Sequence, residues 1–246
     1  MHIEAIRPLA DTALTLELSG TVGAQASALV AAGHQAIEQA MASGILLGVS
    51  EVAAAFCSLT VHYDCLKIAQ ADLIARLTAL LDAITPEAQP AGRSWLLPCC
   101  YDTEIALDLV RLEQELGMDR EQIISIHQET LFHVYALGFL PGLPFMGGLP
   151  STLARPRREE PRTRVPSGSV AIANSMCVIY PWSSPGGWHI VGRCPVPLFD
   201  ISRPIPALIA VGDCVRFRSV SLEEFGDLHR SLCAATCDPA SFQVAS

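Results

Sequence analysis

Residues 137–150 read LGFLPGLPFMGGLP, and from there to residue 192 the chain carries eight of its 17 glycines and eight of its 17 prolines. Proline removes a backbone donor and glycine is costly to order, so long helices are excluded at that density. Short β-rich runs at 170–173 and 177–180 lie between the turns. Short strands joined by tight turns read as a β-barrel. Within 137–150, Pro141, Pro144 and Pro150 fix φ, while Gly138, Gly142, Gly147 and Gly148 permit positive φ. The loop therefore has few conformations to lose on ordering, and Phe139 and Phe145 give it apolar faces. A pocket wall, a partner-binding surface and a barrel-closing connection all fit that pattern.

Upstream, strand and helix patterns alternate. Leu14, Leu16 and Leu18 alternate with polar positions, a period of two. Val22, Ala26, Leu29, Val30, Ile37 and Met41 then recur at helical spacing and stop near Gly44. Residues 45–49 and 59–63 read as strands. A second amphipathic helix carries Leu73, Ile74, Leu77, Leu80, Leu81 and Ile84 and ends before Pro86, and residues 93–99 read as a last strand. The order β-α-β-β-α-β is that of a ferredoxin-like α+β unit, an arrangement that hosts many unrelated functions. Two helices follow. Ile105, Leu109, Leu112 and Leu116 mark the first, with Gly117 suited to end it, and Asp119 with Gln122 resembles a capping box for the second. The expected domains are a ferredoxin-like unit over 1–100, a barrel over 101–220, and a short helix with a loose tail over 221–246.

Composition narrows the function. The 246 residues are 50% apolar and 17% charged, enough to bury a core. Sixteen basic against 25 acidic residues give a net charge of −9, which argues against a nucleic-acid or anionic-membrane binder. Lys67 is the only lysine, and five of the fifteen arginines fall in 155–164. Met1-His2-Ile3-Glu4 lacks the basic start of a signal peptide. The most apolar stretch, 45–56, is interrupted by Glu51 and is shorter than the roughly 20 residues that span a bilayer. The nine cysteines are scattered with no Cys-x-x-Cys, so reduced core thiols in a cytoplasmic protein are expected rather than a zinc site or a disulfide framework.

Two further segments carry chemistry. In RPRREEPRTR (155–164), Arg162 and Arg164 lie two apart in extended chain and are expected to share a face suited to a carboxylate or phosphate. Arg157 and Arg158 read as solvated, with Glu159 and Glu160 as partners. In SSPGGWHIVGR (183–193), the turn Pro185-Gly186-Gly187 delivers Trp188 and His189 to opposite faces of a strand. With Trp188 packed inward, His189 would face a cleft or solvent, placed to hydrogen-bond a substrate or move a proton; the plainer reading is a structural histidine. Neither G-x-G-x-x-G nor G-x-x-x-x-G-K-[ST] occurs.

Taken together, LGFLPGLPFMGGLP, PRTRVPSGSVAIA, IYPWSSPGGWHIVGRCPVPLFD and VGDCVRF closely resemble the B-subunit family of bacterial 5-oxoprolinase. That family, the carboxyltransferase domain with subdomains C and D, also holds allophanate hydrolase subunit 1 and the kinase inhibitor KipI. The likeness runs from Ile6-Arg7-Pro8 to about Phe225. It implies a cyclophilin-like barrel in the C-terminal half. It implies two partners, one of the C type (resembling allophanate hydrolase subunit 2) and one of the A type. Together they would open 5-oxo-L-proline, or a related lactam or ureido compound, to L-glutamate or its equivalent. ATP would act at the level of the complex, and no metal or prosthetic group is expected in this chain. The alternative is a KipI-like protein that inhibits a sensor histidine kinase. By position, the resemblance places the functional surface at Phe139, Phe145, Arg162, Arg164, Ser169, Tyr180, Pro185, Gly186, Gly187 and Trp188, with His189 and Arg193 beside them. On chemical grounds Arg162, Arg164 and Arg193 are expected to bind an anion or carbonyl, and His189 and Arg193 are the catalytic candidates, His189 for proton transfer or hydrogen bonding. Two departures mark a divergent member. The usual A-G-x-Q-T-G/A-I-Y-P reads ANSMCVIYP at 173–181, and Tyr101 is followed by Asp102-Thr103 in place of two glycines.

Overall fold

The computed structural model describes residues 1–84 and 92–244. The chain divides into two compact units, Met1–Ala91 and Gly92–Ser246. In the first, strands β1 (Ala5–Leu9), β2 (Ala13–Glu17), β3 (Val49–Ala54) and β4 (Ser58–Tyr63) form an antiparallel sheet in the order β1-β2-β4-β3. Helices α1 (Ala24–Ala42) and α2 (Gln70–Asp82) share a core with it. Leu14, Leu16, Val30, Ile37, Leu73, Leu77 and Leu81 are buried there, the faces that the two periodicities mark.

This is the strand order of a ferredoxin-like sheet with one substitution. The edge place expected for residues 93–99 is taken by β1 from the other end of the chain. Pro8 hides β1 from a pattern reading, but a strand bonded on one side only tolerates a proline. Residues 45–49 also depart from expectation. Gly44 and Gly48 adopt positive φ and Ile45 and Leu47 are exposed, so the segment is a turn and β3 begins only at Val49.

The second unit is a closed seven-stranded barrel. Its strands are β5 (Ser94–Cys100), β6 (Phe132–Leu137), β7 (Pro144–Gly147), β9 (Ser169–Ala173), β10 (Met176–Ile179), β12 (His189–Arg193) and β13 (Cys214–Val220). Neighbours run β12-β9-β10-β7-β6-β13-β5, and the pair Arg193–Cys100 closes β5 back onto β12. Strand β5 runs parallel to β13 along its whole length and buries Trp95, Leu97 and Cys99 in the barrel. The boundary therefore falls at 91/92 and not at 100. Its alternation shows that β5 has a buried face, not which sheet that face belongs to.

Helices α3 (Leu109–Leu116) and α4 (Arg120–Glu129) follow the expected signals. Gly117 ends α3 in the left-handed region, and Asp119 and Gln122 exchange both bonds of a capping box. A small ribbon pairs β8 (Arg162–Val165) with β11 (Ser184–Gly186). At the C-terminus, α5 (Leu222–Cys233) buries Leu232 in the barrel core, and β14 (Gln243–Val244) adds to β5. Residues 221–244 thus belong to the barrel unit and are no loose tail. All nine cysteines are free, with Cys99, Cys100, Cys177 and Cys194 buried. Among the described residues no helix is long and apolar enough to cross a membrane.

Candidate functional site

The proline–glycine stretch serves two purposes. Residues 144–147 are a barrel strand with Met146 in the core, whereas residues 138–143 form a loop from which Phe139 projects, 70% exposed at a φ of +65°. A side chain held in that region stores strain, which collects at functional sites. Beneath the loop is a cavity of about 290 Å³. Its walls come from Phe139, Leu143 and Phe145 on one side, Val178 and Tyr180 from the end of β10, and Pro185, Gly186, Gly187 and Trp188 from the turn before β12. Pro161 and Arg157 complete it. Phe145 and Trp188 meet edge to face at 6.0 Å, and the Arg157 guanidinium lies 5.6 Å from the centre of the Trp188 ring. Burial pushes the Tyr180 hydroxyl above its ordinary range while the Arg157 charge opposes it, so the hydroxyl stays a donor at neutral pH.

Seven of the residues singled out from the sequence therefore come together: Phe139, Phe145, Tyr180, Pro185, Gly186, Gly187 and Trp188. The other five go elsewhere, each for a visible reason. Arg162 binds the carboxylate of Asp108 with both terminal nitrogens, at 2.8 Å each. Arg158 joins the same carboxylate at 2.6 Å, and the Ile190 amide donates to it at 2.7 Å. Asp108 is almost wholly buried, so Arg162 is spent on an internal ion pair, and Arg158 is not a solvated partner of the neighbouring glutamates. Arg164 points away and donates to Ser183 Oγ at 3.2 Å.

His189 is 3% exposed and sends Nε2 to the Pro156 carbonyl at 2.8 Å, while Trp188 is 5% exposed. Both are buried, because the arginine loop covers the face on which His189 was expected to meet solvent. Ser169 is buried opposite Arg193 in the β9–β12 ladder. Arg193 donates to the Ser167 carbonyl at 2.8 Å and lines a separate groove of about 510 Å³ with Trp182, Phe199, Phe225 and His229. Tyr180 borders both cavities.

Sequence reasoning missed Arg157 and Asp108. Arg157 was hidden in a cluster that reads as surface charge. Asp108 is a single acid before a helix, and only its three donors reveal it. Among the departures at 173–181, Cys177 turns into the barrel core, 3.6 Å from His127 Nε2, whose Nδ1 meets the Tyr101 hydroxyl at 2.8 Å. Among the described residues no cluster of three or more His, Cys, Asp or Glu is placed to hold a metal ion.

A closed barrel bearing an aromatic cavity in one unit, and a ferredoxin-like sheet with two helices in the other, define a two-unit α+β protein. The family described as carboxyltransferase domain, subdomain C and D, matches residues 4–209. The 5-oxoprolinase B subunit of Bacillus subtilis (strain 168) is 31% identical over 234 residues, 89% of this chain and 94% of that protein. Its Haemophilus influenzae counterpart is 43% identical over 126 residues, 51% of this chain and 59% of that one. Among solved structures, TTHA0988 superposes with a TM-score of 0.75 at 32% identity, over 88% of this chain and 41% of its own length. The Kluyveromyces lactis urea carboxylase shares the fold, with a TM-score of 0.68 at 20% identity over 92% of this chain and 22% of that protein. The chain belongs to the carboxyltransferase-domain family of subdomains C and D, together with the B subunits of 5-oxoprolinase.

Proposed function

We propose that the chain is the B-type subunit of a 5-oxoprolinase-type amidohydrolase, working with C-type and A-type partner proteins on a small lactam or ureido compound in the cytoplasm. The observation that carries this reading is the aromatic cavity with one guanidinium at its edge. A volume of about 290 Å³ suits a single small ring. Trp188 and Phe145 offer it apolar faces, the Tyr180 hydroxyl is available to an amide oxygen, and Arg157 to a carboxylate. Opening a lactam adds water across its C–N bond, and holding the amide oxygen against a donor polarises that bond. The apolar walls and single charge do not fit a triphosphate, so ATP would be bound elsewhere in the assembly.

The test is to purify the chain with C-type and A-type partners and follow 5-oxoproline-dependent ATP hydrolysis. Turnover is expected, with Trp188→Ala reducing it at least tenfold; no turnover in any pairing rejects the reading. Exposed Phe139 at the loop tip favours a second reading, inhibition of a sensor histidine kinase. An autophosphorylation rate unchanged at saturating protein disposes of it.

A further inference from the structure

Trp188 and His189 alternate at the start of β12, and a cavity lies against each. Trp188 lines the aromatic one, and His189 lines a second of about 220 Å³ that shares Arg157 with the first. Four arginines, Arg111, Arg155, Arg157 and Arg158, border this second cavity against two glutamates, Glu115 and Glu159, in a protein whose net charge is −9. Two of the four are already neutralised, Arg111 by Glu115 and Arg158 by Asp108. The other two have no ion-pair partner: Arg155 donates to the carbonyls of Ala154 and Glu115, and the Arg157 guanidinium rests on Trp188, so against the one unpaired carboxylate, Glu159, the cavity keeps a net positive charge. His189 adds an independent sign. With Nε2 donating to the Pro156 carbonyl, its Nδ1 is left a bare acceptor, buried and without a partner.

We propose that this cavity is a binding site for a small tetrahedral oxyanion of the phosphate class, held chiefly by Arg155 and Arg157. Planar guanidinium forks match phosphate oxygens two by two, and hydrogenphosphate also carries the O–H that an unpartnered acceptor lacks. The volume admits such an ion with water and excludes a nucleoside triphosphate. The site goes beyond the amidohydrolase reading, since it needs neither the lactam nor a partner protein.

Inorganic phosphate titrated into the purified full chain by calorimetry, at constant ionic strength in chloride, is expected to reveal one saturable site. Arg157→Gln, at an exposed position, is expected to weaken it at least tenfold with the thermal unfolding midpoint unchanged, and Arg155→Gln likewise. Arg164→Gln, an arginine outside the cavity, should leave the affinity within twofold. A wild-type titration that never saturates overturns the proposal, as does binding that survives loss of Arg157 or falls equally with Arg164→Gln. Because no lactam and no partner are present, failure here says nothing against the amidohydrolase assay, and failure of that assay leaves this result standing.

Discussion

Gly186 shows how narrow the tolerances of the aromatic cavity are. A Cβ at this position would lie 2.5 Å from the Tyr180 hydroxyl and 3.0 Å from Val165 Cγ2. Tyr180 is itself buried and has little room to retreat. Gly186→Ala is therefore expected to push the Tyr180 ring into the cavity and to weaken binding of a lactam probe at least tenfold, with a stability loss of about 1–3 kcal/mol from overpacking. Calorimetric binding and thermal unfolding measured together check it; unchanged affinity would show that the ring does not define the cavity floor. His127 makes a different point at the same scale. Burial holds its pKa down to about 3, against an ordinary value of 6.5, so it is neutral in the fold while bonded to Tyr101.

Between elements, one carboxylate organises the site. Asp108, just before α3, gathers Arg158 from the arginine loop, Arg162 from β8 and the Ile190 amide from β12. The Arg158 amide also donates to the Gly187 carbonyl at 2.8 Å. Arg157 is thereby held between the two cavities. Asp108→Asn leaves two guanidiniums facing a neutral amide, and removing one partner of a buried pair costs about 3–5 kcal/mol. A fall in stability of that size is expected in denaturant titrations, with a shift in Trp188 emission as the loop loosens. A stability change below about 1 kcal/mol, the scale of an exposed pair, would show that the arginines find other partners.

For the molecule as a whole, the two units make separate predictions. Gly92–Ser246 has its own core, and a fragment starting at Gly92 is expected to fold with native-like near-ultraviolet dichroism; a flat spectrum would contradict that independence. The barrel should also lose stability in acid. Between pH 6.5 and 3 the unfolded chain binds a proton at His127 that the folded chain refuses. Stability is therefore fully present above pH 6.5 and falls by up to about 1.4 kcal/mol for each unit below it. Denaturant unfolding at pH 7 and pH 5, compared with His127→Leu, should show a slope smaller by about one proton in the variant. Equal slopes would mean that His127 does not resist protonation.

Much of this was legible in the chain itself. The buried faces of α1, α2 and β2, the ends of α3 and α4 and the barrel texture after residue 137 all follow from local rules, because spacing, capping and turn chemistry depend on near neighbours; seven residues of the aromatic cavity were legible only through the family resemblance. The closure of β5 onto β12, the edge place of β1, the covering of His189 and the capture of Arg162 by Asp108 belong to the tertiary structure alone. Each joins groups far apart in the chain, and a strand's pattern or an arginine's charge says that it needs a partner without saying which partner the fold brings to it.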